Sequence, residues 1–312
     1  MIRAKITGVI KTLGVRIKDI LEYPYDWVTA KRWLSAINTK PLAFDSTEKK
    51  IMVVVPHADD EILGIGGILK KHDKMGHKIC FIYTTDGRKS WSRNLDEDQM
   101  ATKRENEANQ MCKMFSDAEA VFIKARSMEW IAEEIVDRLH QELIKYHPDI
   151  IYVPLGLDIN YDHVLNSISL NKALEKSQFP YCLRVFSVQT PIPSDYLNLD
   201  CDISKEFAFK KKALEIFVSQ NTMKKSFRKV LFFNRLLAQR YNYQLACECI
   251  WELSKPTYDD ITALCLSGID LSKTKTITRG RSIKNSCSNT FPPSLIHGIS
   301  GISRISKRNT AN

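Results

Sequence analysis

A chain of 312 residues and 35.8 kDa has room for one large domain or two modest ones, either with a buried core. Its 44% hydrophobic and 26% charged residues exclude a collagen-like, low-complexity or wholly disordered protein, and no run reaches the roughly 18 apolar residues of a membrane span. The net charge of +10 sits at the ends, +5 in residues 1–50 and +8 in 271–312, which leaves 51–270 at −3 and makes nucleic-acid binding a minor reading.

Residues 1–22 set Ile2, Ile6, Val9, Ile10, Leu13, Ile17, Ile20 and Leu21 at helical spacing, with Lys5, Lys11, Arg16 and Lys18 between them. A basic amphipathic helix of this kind either packs on the domain or rests peripherally on a membrane surface. The charges break up any signal-peptide core of roughly 7–15 apolar residues. Residues 51–56 are continuously apolar and rich in β-formers, the mark of a strand covered on both faces of a parallel sheet. A polar break at 57–61 leads into helical spacing over 62–71, which holds three glycines. Strands are then predicted at 78–84, 121–123, 149–155 and 183–189, and helices at 102–115, 128–145, 162–175, 205–217 and 243–253. Such alternation predicts an α/β fold, a Rossmann-like three-layer sandwich with a mostly parallel sheet. Residues 1–50 read as an amphipathic extension, 51–270 as the domain, and 271–312 as a basic, disordered tail.

The eight cysteines are scattered and include no Cys-x-x-Cys, which suggests reduced thiols and a cytoplasmic location. His72, His77, His140 and His147 fall on predicted helix surfaces or turns and suggest no function. Gly64, Gly66 and Gly67 are not followed by Gly-Lys-Ser/Thr, so a phosphate-cradling loop is a weak reading.

The chemistry concentrates at two strand ends, where open α/β sheets place their sites. After the first strand come His57-Ala58-Asp59-Asp60-Glu61, an imidazole and three carboxylates that cannot all be buried cheaply without a cation. The bland alternative is a helix N-cap cluster. His57 and Asp60 are three apart, and the loop after 149–155 offers His163 as a third ligand, with Asp162 beside it as its supporting group. Two histidines and a carboxylate suit zinc or another divalent transition metal. They leave positions open for water and a substrate oxygen.

The stretch Pro56 to Gly67 resembles the signature of the LmbE/PIG-L family of zinc-dependent N-acetylglucosaminyl deacetylases. Thr85-Asp86-Gly87, Arg104 with Glu107, Asp162-His163, Lys212-Ala213-Leu214, Ser219-Gln220 and Glu248 before Trp251 extend the likeness over roughly residues 50–252. The resemblance implies zinc ligands His57, Asp60 and His163, with Asp59 as general base. It also implies removal of acetyl from an N-acetylated sugar or glycoconjugate, and tentative substrate contacts at Arg104 and Asp86. Thr85-Asp86-Gly87 also reads as a plain turn, and Arg104 as one charge on a solvated helix face. Where the family has His-x-Asp-His, this sequence has Asn160-Tyr161-Asp162-His163. The family's first histidine is held to stabilise an oxyanion. Asparagine donates a hydrogen bond there without a charge, and losing such a donor costs about 2.7–4 kcal/mol. The runner-up is therefore a weak or silent member that keeps its metal and binds sugar.

Overall fold

The structure, a computed structural model, describes residues 33–90, 94–158 and 160–268, with the backbone alone at 221–225, 267 and 268. The stripe at 1–22 and the tail at 271–312 lie outside the described residues. In chain order come β1 (Lys40–Pro41), β2 (Lys50–Val55), α1 (Asp60–Lys74), β3 (Lys78–Thr85), α2 (Glu97–Cys112), β4 (Ala118–Ala125), α3 (Glu133–Tyr146) and β5 (Ile150–Pro154). They are followed by α4 (Tyr161–Glu175), β6 (Cys182–Phe186), β7 (Leu199–Asp202), α5 (Phe207–Leu214), a 3-10 turn (Val218–Met223), α6 (Lys224–Arg240), β8 (Cys247–Leu253) and α7 (Lys255–Gly268). Upstream of the predicted domain start at 51, β1 pairs with β7 and Ile37 is buried.

One eight-stranded sheet runs β1-β7-β8-β6-β5-β2-β3-β4 and is parallel except for β8, which is antiparallel to both neighbours. Alternation along β2 divides the core. Met52 and Val54 face a layer containing Leu139, Ile168 and Tyr258, whereas Ile51, Val53 and Val55 face one containing Ile62, Met111 and Phe207. Helices α3, α4 and α7 thus cover one face and α1, α2 and α5 the other, as the α/β reading expects. From β2 the chain steps to β3 and β4, then returns to place β5 on the other side of β2. The crevice between the carboxyl ends of β2 and β5 is therefore the topological switch point.

Residues 243–253, predicted as a helix, instead carry β8. Cys247 to Trp251 are all buried, because β8 lies between β6 and β7 with a helix layer on each face. Apolar Cys247, Cys249, Trp251 and Leu253 do keep a period of two and share one core layer, but Ile250 and the buried Glu248 on the other face blur it.

The glycines of α1 serve packing. A β-carbon at Gly64 would lie 2.1 Å from the Phe186 ring, and one at Gly67 would lie 2.5 Å from Ile203. The helix breaks at Ile65, where φ is −136°. Glu248 accepts hydrogen bonds from the amides of Gly67 (3.0 Å) and Ile68 (2.8 Å). Lys210 donates to the Leu63 carbonyl at 2.8 Å and to Glu248 at 2.6 Å. A fully buried ion pair thus closes the groups that the break leaves open.

His72 and His77 are buried, contrary to their predicted surface placement. Arg184 donates to the Tyr152 hydroxyl (2.8 Å), which lies 2.9 Å from His72 Nε2; His72 Nδ1 is 2.8 Å from His77 Nδ1, and His77 Nε2 is 3.0 Å from the Asp45 carbonyl. Arg184 only donates and a carbonyl only accepts, so with uncharged rings a single direction satisfies every member. Burial, with His77 and Arg184 nearby, holds His72 well below its ordinary 6.5. In acid the unfolded chain therefore takes up a proton that the folded one refuses. The contribution of His72 is full at neutral pH and lost as pH falls below 6.5, by up to about 1.4 kcal/mol per unit. An NMR titration is expected to find its ring resonances unmoved between about pH 7 and pH 5.5, where an ordinary histidine shifts.

Candidate active site

The loop leaving β2 carries His57, and Asp60 opens α1. Asp60 Oδ2 accepts from the His57 amide at 3.1 Å, lies 3.2 Å from His57 Nδ1, and is 3.4 Å from His163 Nε2. His163 comes from the first turn of α4, beyond β5, so both strand ends at the switch point contribute. The three ligand atoms lie within 4.8 Å of one another, the one such group among the described residues. Both strand ends named in the sequence thus converge.

Each imidazole has a carboxylate behind it. Asp162 Oδ2 lies 2.9 Å from His57 Nε2, and Asp158 Oδ2 lies 3.3 Å from His163 Nδ1. The expected support of His163 by Asp162 is replaced: Asp162 backs His57, and Asp158 backs His163. Both buried nitrogens of His163 lack a hydrogen-bond partner. Burial opposes charge on His57, yet Asp162 and Asp60 overcome it and lift its pKa to about 9. Burial would raise Asp60, but His163 and His57 hold it well below the usual carboxylate range. Such a pocket favours positive charge. An orphaned His163 Nε2 facing a carboxylate and a second imidazole fits a divalent cation.

Asp59 is buried and held in a φ of 146°, a conformation that costs a non-glycine residue about 1–3 kcal/mol. Two contacts fix it. Its amide donates to Glu61 Oε2 at 3.0 Å, and its Oδ1 accepts from Arg104 Nη2 at 3.0 Å. Tyr83 donates to Glu61 Oε1 at 2.9 Å. Burial raises Asp59 against the pull of Arg104, to about 6, and raises Glu61 to about 8.

Residues 52–171, which include every residue of this constellation, match the family described as PIG-L, GlcNAc-PI de-N-acetylase. The PIG-L (LmbE-like) likeness is thus shown for this stretch of the chain. A search of curated protein sequences returns no match. Among solved structures, the chain is similar to the N,N'-diacetylchitobiose deacetylase of Pyrococcus horikoshii (19% identity, 75% of this chain and 94% of that one, TM-score 0.59). It is also similar to the A40926 pseudoaglycone deacetylase (15%, 68% and 98%, TM-score 0.52). A third is the 4-carboxy-2-hydroxymuconate hydratase of Pseudomonas putida (16%, 66% and 96%, TM-score 0.58). These likenesses establish the fold. Because one of these proteins is a hydratase, activity must be argued from side chains.

Several residues around the site differ in setting from their sequence reading. Arg104 is buried, not solvated, and besides Asp59 it reaches Ser219 Oγ at 3.4 Å. Ser219 is tied through its amide (2.8 Å) and hydroxyl (2.5 Å) to Glu107, so Arg104, Glu107 and Ser219, far apart in the sequence, form one cluster. Thr85-Asp86-Gly87 is a turn with a further use. Thr85 Oγ1 donates to the Pro56 carbonyl at 2.8 Å, and Gly87 has a φ of 63°. Asp86 accepts from Arg88 Nε at 2.6 Å and lines a cleft of about 260 Å³ with Ala58, Tyr83, Arg88, Arg104 and Lys124. Asn160 caps α4, its Oδ1 accepting from the Asp162 amide at 3.0 Å. Local motifs miss Ser127 and Trp130 as partners of the site, since both reach Asp162 only through the fold, and they assign no role to Asp158 or Glu61.

Proposed function

We propose that this chain is a metal-dependent hydrolase that removes the N-acetyl group from an N-acetylglucosamine-type sugar or glycoconjugate. The observation that carries the reading is the meeting of His57 Nδ1, Asp60 Oδ2 and His163 Nε2, with a fixed carboxylate, Asp59, next in sequence. His57, Asp60 and His163 would hold zinc or a similar divalent ion. Bound there, it supplies Lewis acidity to the acetamide carbonyl and acidifies water.

The chain's own residues provide the proton traffic. At neutral pH Asp59, at about 6, is mostly ionised yet basic enough to take a proton from the attacking water and return it to the departing amine. Arg104 and Glu61 keep that carboxylate from turning away. Asp86 and Arg88 stand on the wall of the cleft, where sugar hydroxyls would be read. The amphipathic segment 1–22 would bring a lipid-linked sugar within reach.

Purified protein with zinc is expected to release acetate from N-acetylglucosamine derivatives, to stop on chelation, and to recover on zinc addition. Tight zinc binding with no acetate from a panel of free and conjugated sugars would refute turnover and leave a sugar-binding module. Asn160 favours that second reading, because its Oδ1 is committed to capping α4.

A further inference from the structure

We propose that the loop joining β4 to α3 is the positioning element for His57: Ser127 and Trp130, acting through Asp162, hold the imidazole with Nδ1 directed at Asp60. The inference rests on the metal-centred reading above and deepens it.

Asp162 is fully buried, and both of its oxygens are taken. Oδ1 accepts from Trp130 Nε1 at 2.7 Å and from the Met128 amide at 2.9 Å. Oδ2 accepts from Ser127 Oγ at 2.6 Å and stands 2.9 Å from His57 Nε2. Three donors from one short loop thus grip a carboxylate that sits on a different element, α4. An ionised carboxylate only accepts, so Asp162 holds a proton on His57 Nε2, and Nδ1 is the nitrogen that gives up its proton to take a cation. The lone pair of Nδ1 then points to the Asp60 side, where the ligand atoms meet.

Turning the Asp162 carboxylate would break bonds to the loop, so its direction is fixed by Ser127 and Trp130 rather than by His57. The loop is shaped for this grip. Met128 has a φ of 64°, which a residue other than glycine rarely adopts, and that backbone setting accompanies its amide bond to Asp162. The Ser127 amide is anchored separately on Asp86 Oδ1 at 3.2 Å, and Asp86 is itself held by Arg88. Neither Ser127 nor Trp130 belongs to the histidine and carboxylate motifs.

The test uses the full chain and four proteins: wild type, Ser127→Ala, Ser127→Thr and Trp130→Phe. Zinc affinity is read by competition with a chromophoric chelator, cobalt(II) coordination by visible absorption, and stability by melting the metal-free forms. Removing a partner that orients a metal-ligating histidine weakens binding by roughly 10- to 100-fold. That loss is expected for Ser127→Ala and Trp130→Phe, with a changed cobalt spectrum, whereas Ser127→Thr keeps its hydroxyl and returns to wild-type behaviour. Unchanged zinc affinity and cobalt spectra in Ser127→Ala and Trp130→Phe, whatever their melting points, would overturn the inference. If Trp130→Phe fails to fold, the Ser127 pair decides alone. Wild type that binds neither metal would sink the metal-centred reading itself, and the inference with it.

Discussion

Asp59→Asn is expected to lower turnover by roughly 10²–10⁴-fold, the usual worth of a positioned acid–base group, while zinc stays bound. Asp60→Asn is expected to do the reverse and loosen the metal first. Adjacent carboxylates divide the work by direction. Asp59 turns to Arg104, whereas Asp60 Oδ2 lies between His57 and His163. The same assignment sets the pH profile. A base must be ionised, and burial lifts Asp59 to about 6 against the opposing charge of Arg104, so activity rises with pH through about 6 and is lost below it. Arg104→Met removes the opposing charge and is expected to move this acid limb upward. Initial rates across pH, with zinc content measured on the same samples, check each point. Loss of zinc from Asp59→Asn with retention in Asp60→Asn would reverse the roles.

Lys210→Met is expected to destabilise the fold by about 3–5 kcal/mol, the typical cost of stranding one partner of a buried ion pair. Glu248 would lose its ion-pair partner in a site with no exposure to solvent. Replacing both partners by apolar residues often restores stability elsewhere, but not here. Glu248 also closes the Gly67 and Ile68 amides, and Lys210 the Leu63 carbonyl. Each of these buried groups left open costs about 1–3 kcal/mol. Urea unfolding of the single and double variants measures this. A double variant as stable as wild type would show that the helix break closes itself.

Most of the parallel sheet and the triad that could hold a metal were legible in the sequence because both are written locally. Val53-Val54-Val55 names a strand covered on both sides, and His57 and Asp60 meet across one turn. His163 was reachable because strand ends of a parallel sheet share an edge. What stayed hidden depends on pairings over long separations. Arg104 looks like one charge among several on α2 until Asp59, 45 residues away, is found against it. Asp162 seems to serve its neighbour His163, yet the start of α4 aims its side chain at His57, 105 residues away. β8 failed for another reason: Cys247, Cys249, Trp251 and Leu253 keep the rhythm of a strand, but Ile250 and the buried Glu248 on the opposite face obscure it.

That strand also governs how the molecule is assembled. β8 is the last of the described strands to leave the ribosome, yet it takes an inner place, and the backbone path from β6 to β7 and β1 runs through it. Every residue of the triad has been made by position 163, long before the sheet that braces it is whole. Until residues 247–253 arrive, β6 presents an unpaired apolar edge, the kind of surface on which nascent chains add to one another. Pairings of this separation also form slowly, because the intervening loop must be closed before any contact rewards it. The candidate centre is encoded early in the chain, but its completion waits on residues 247–253.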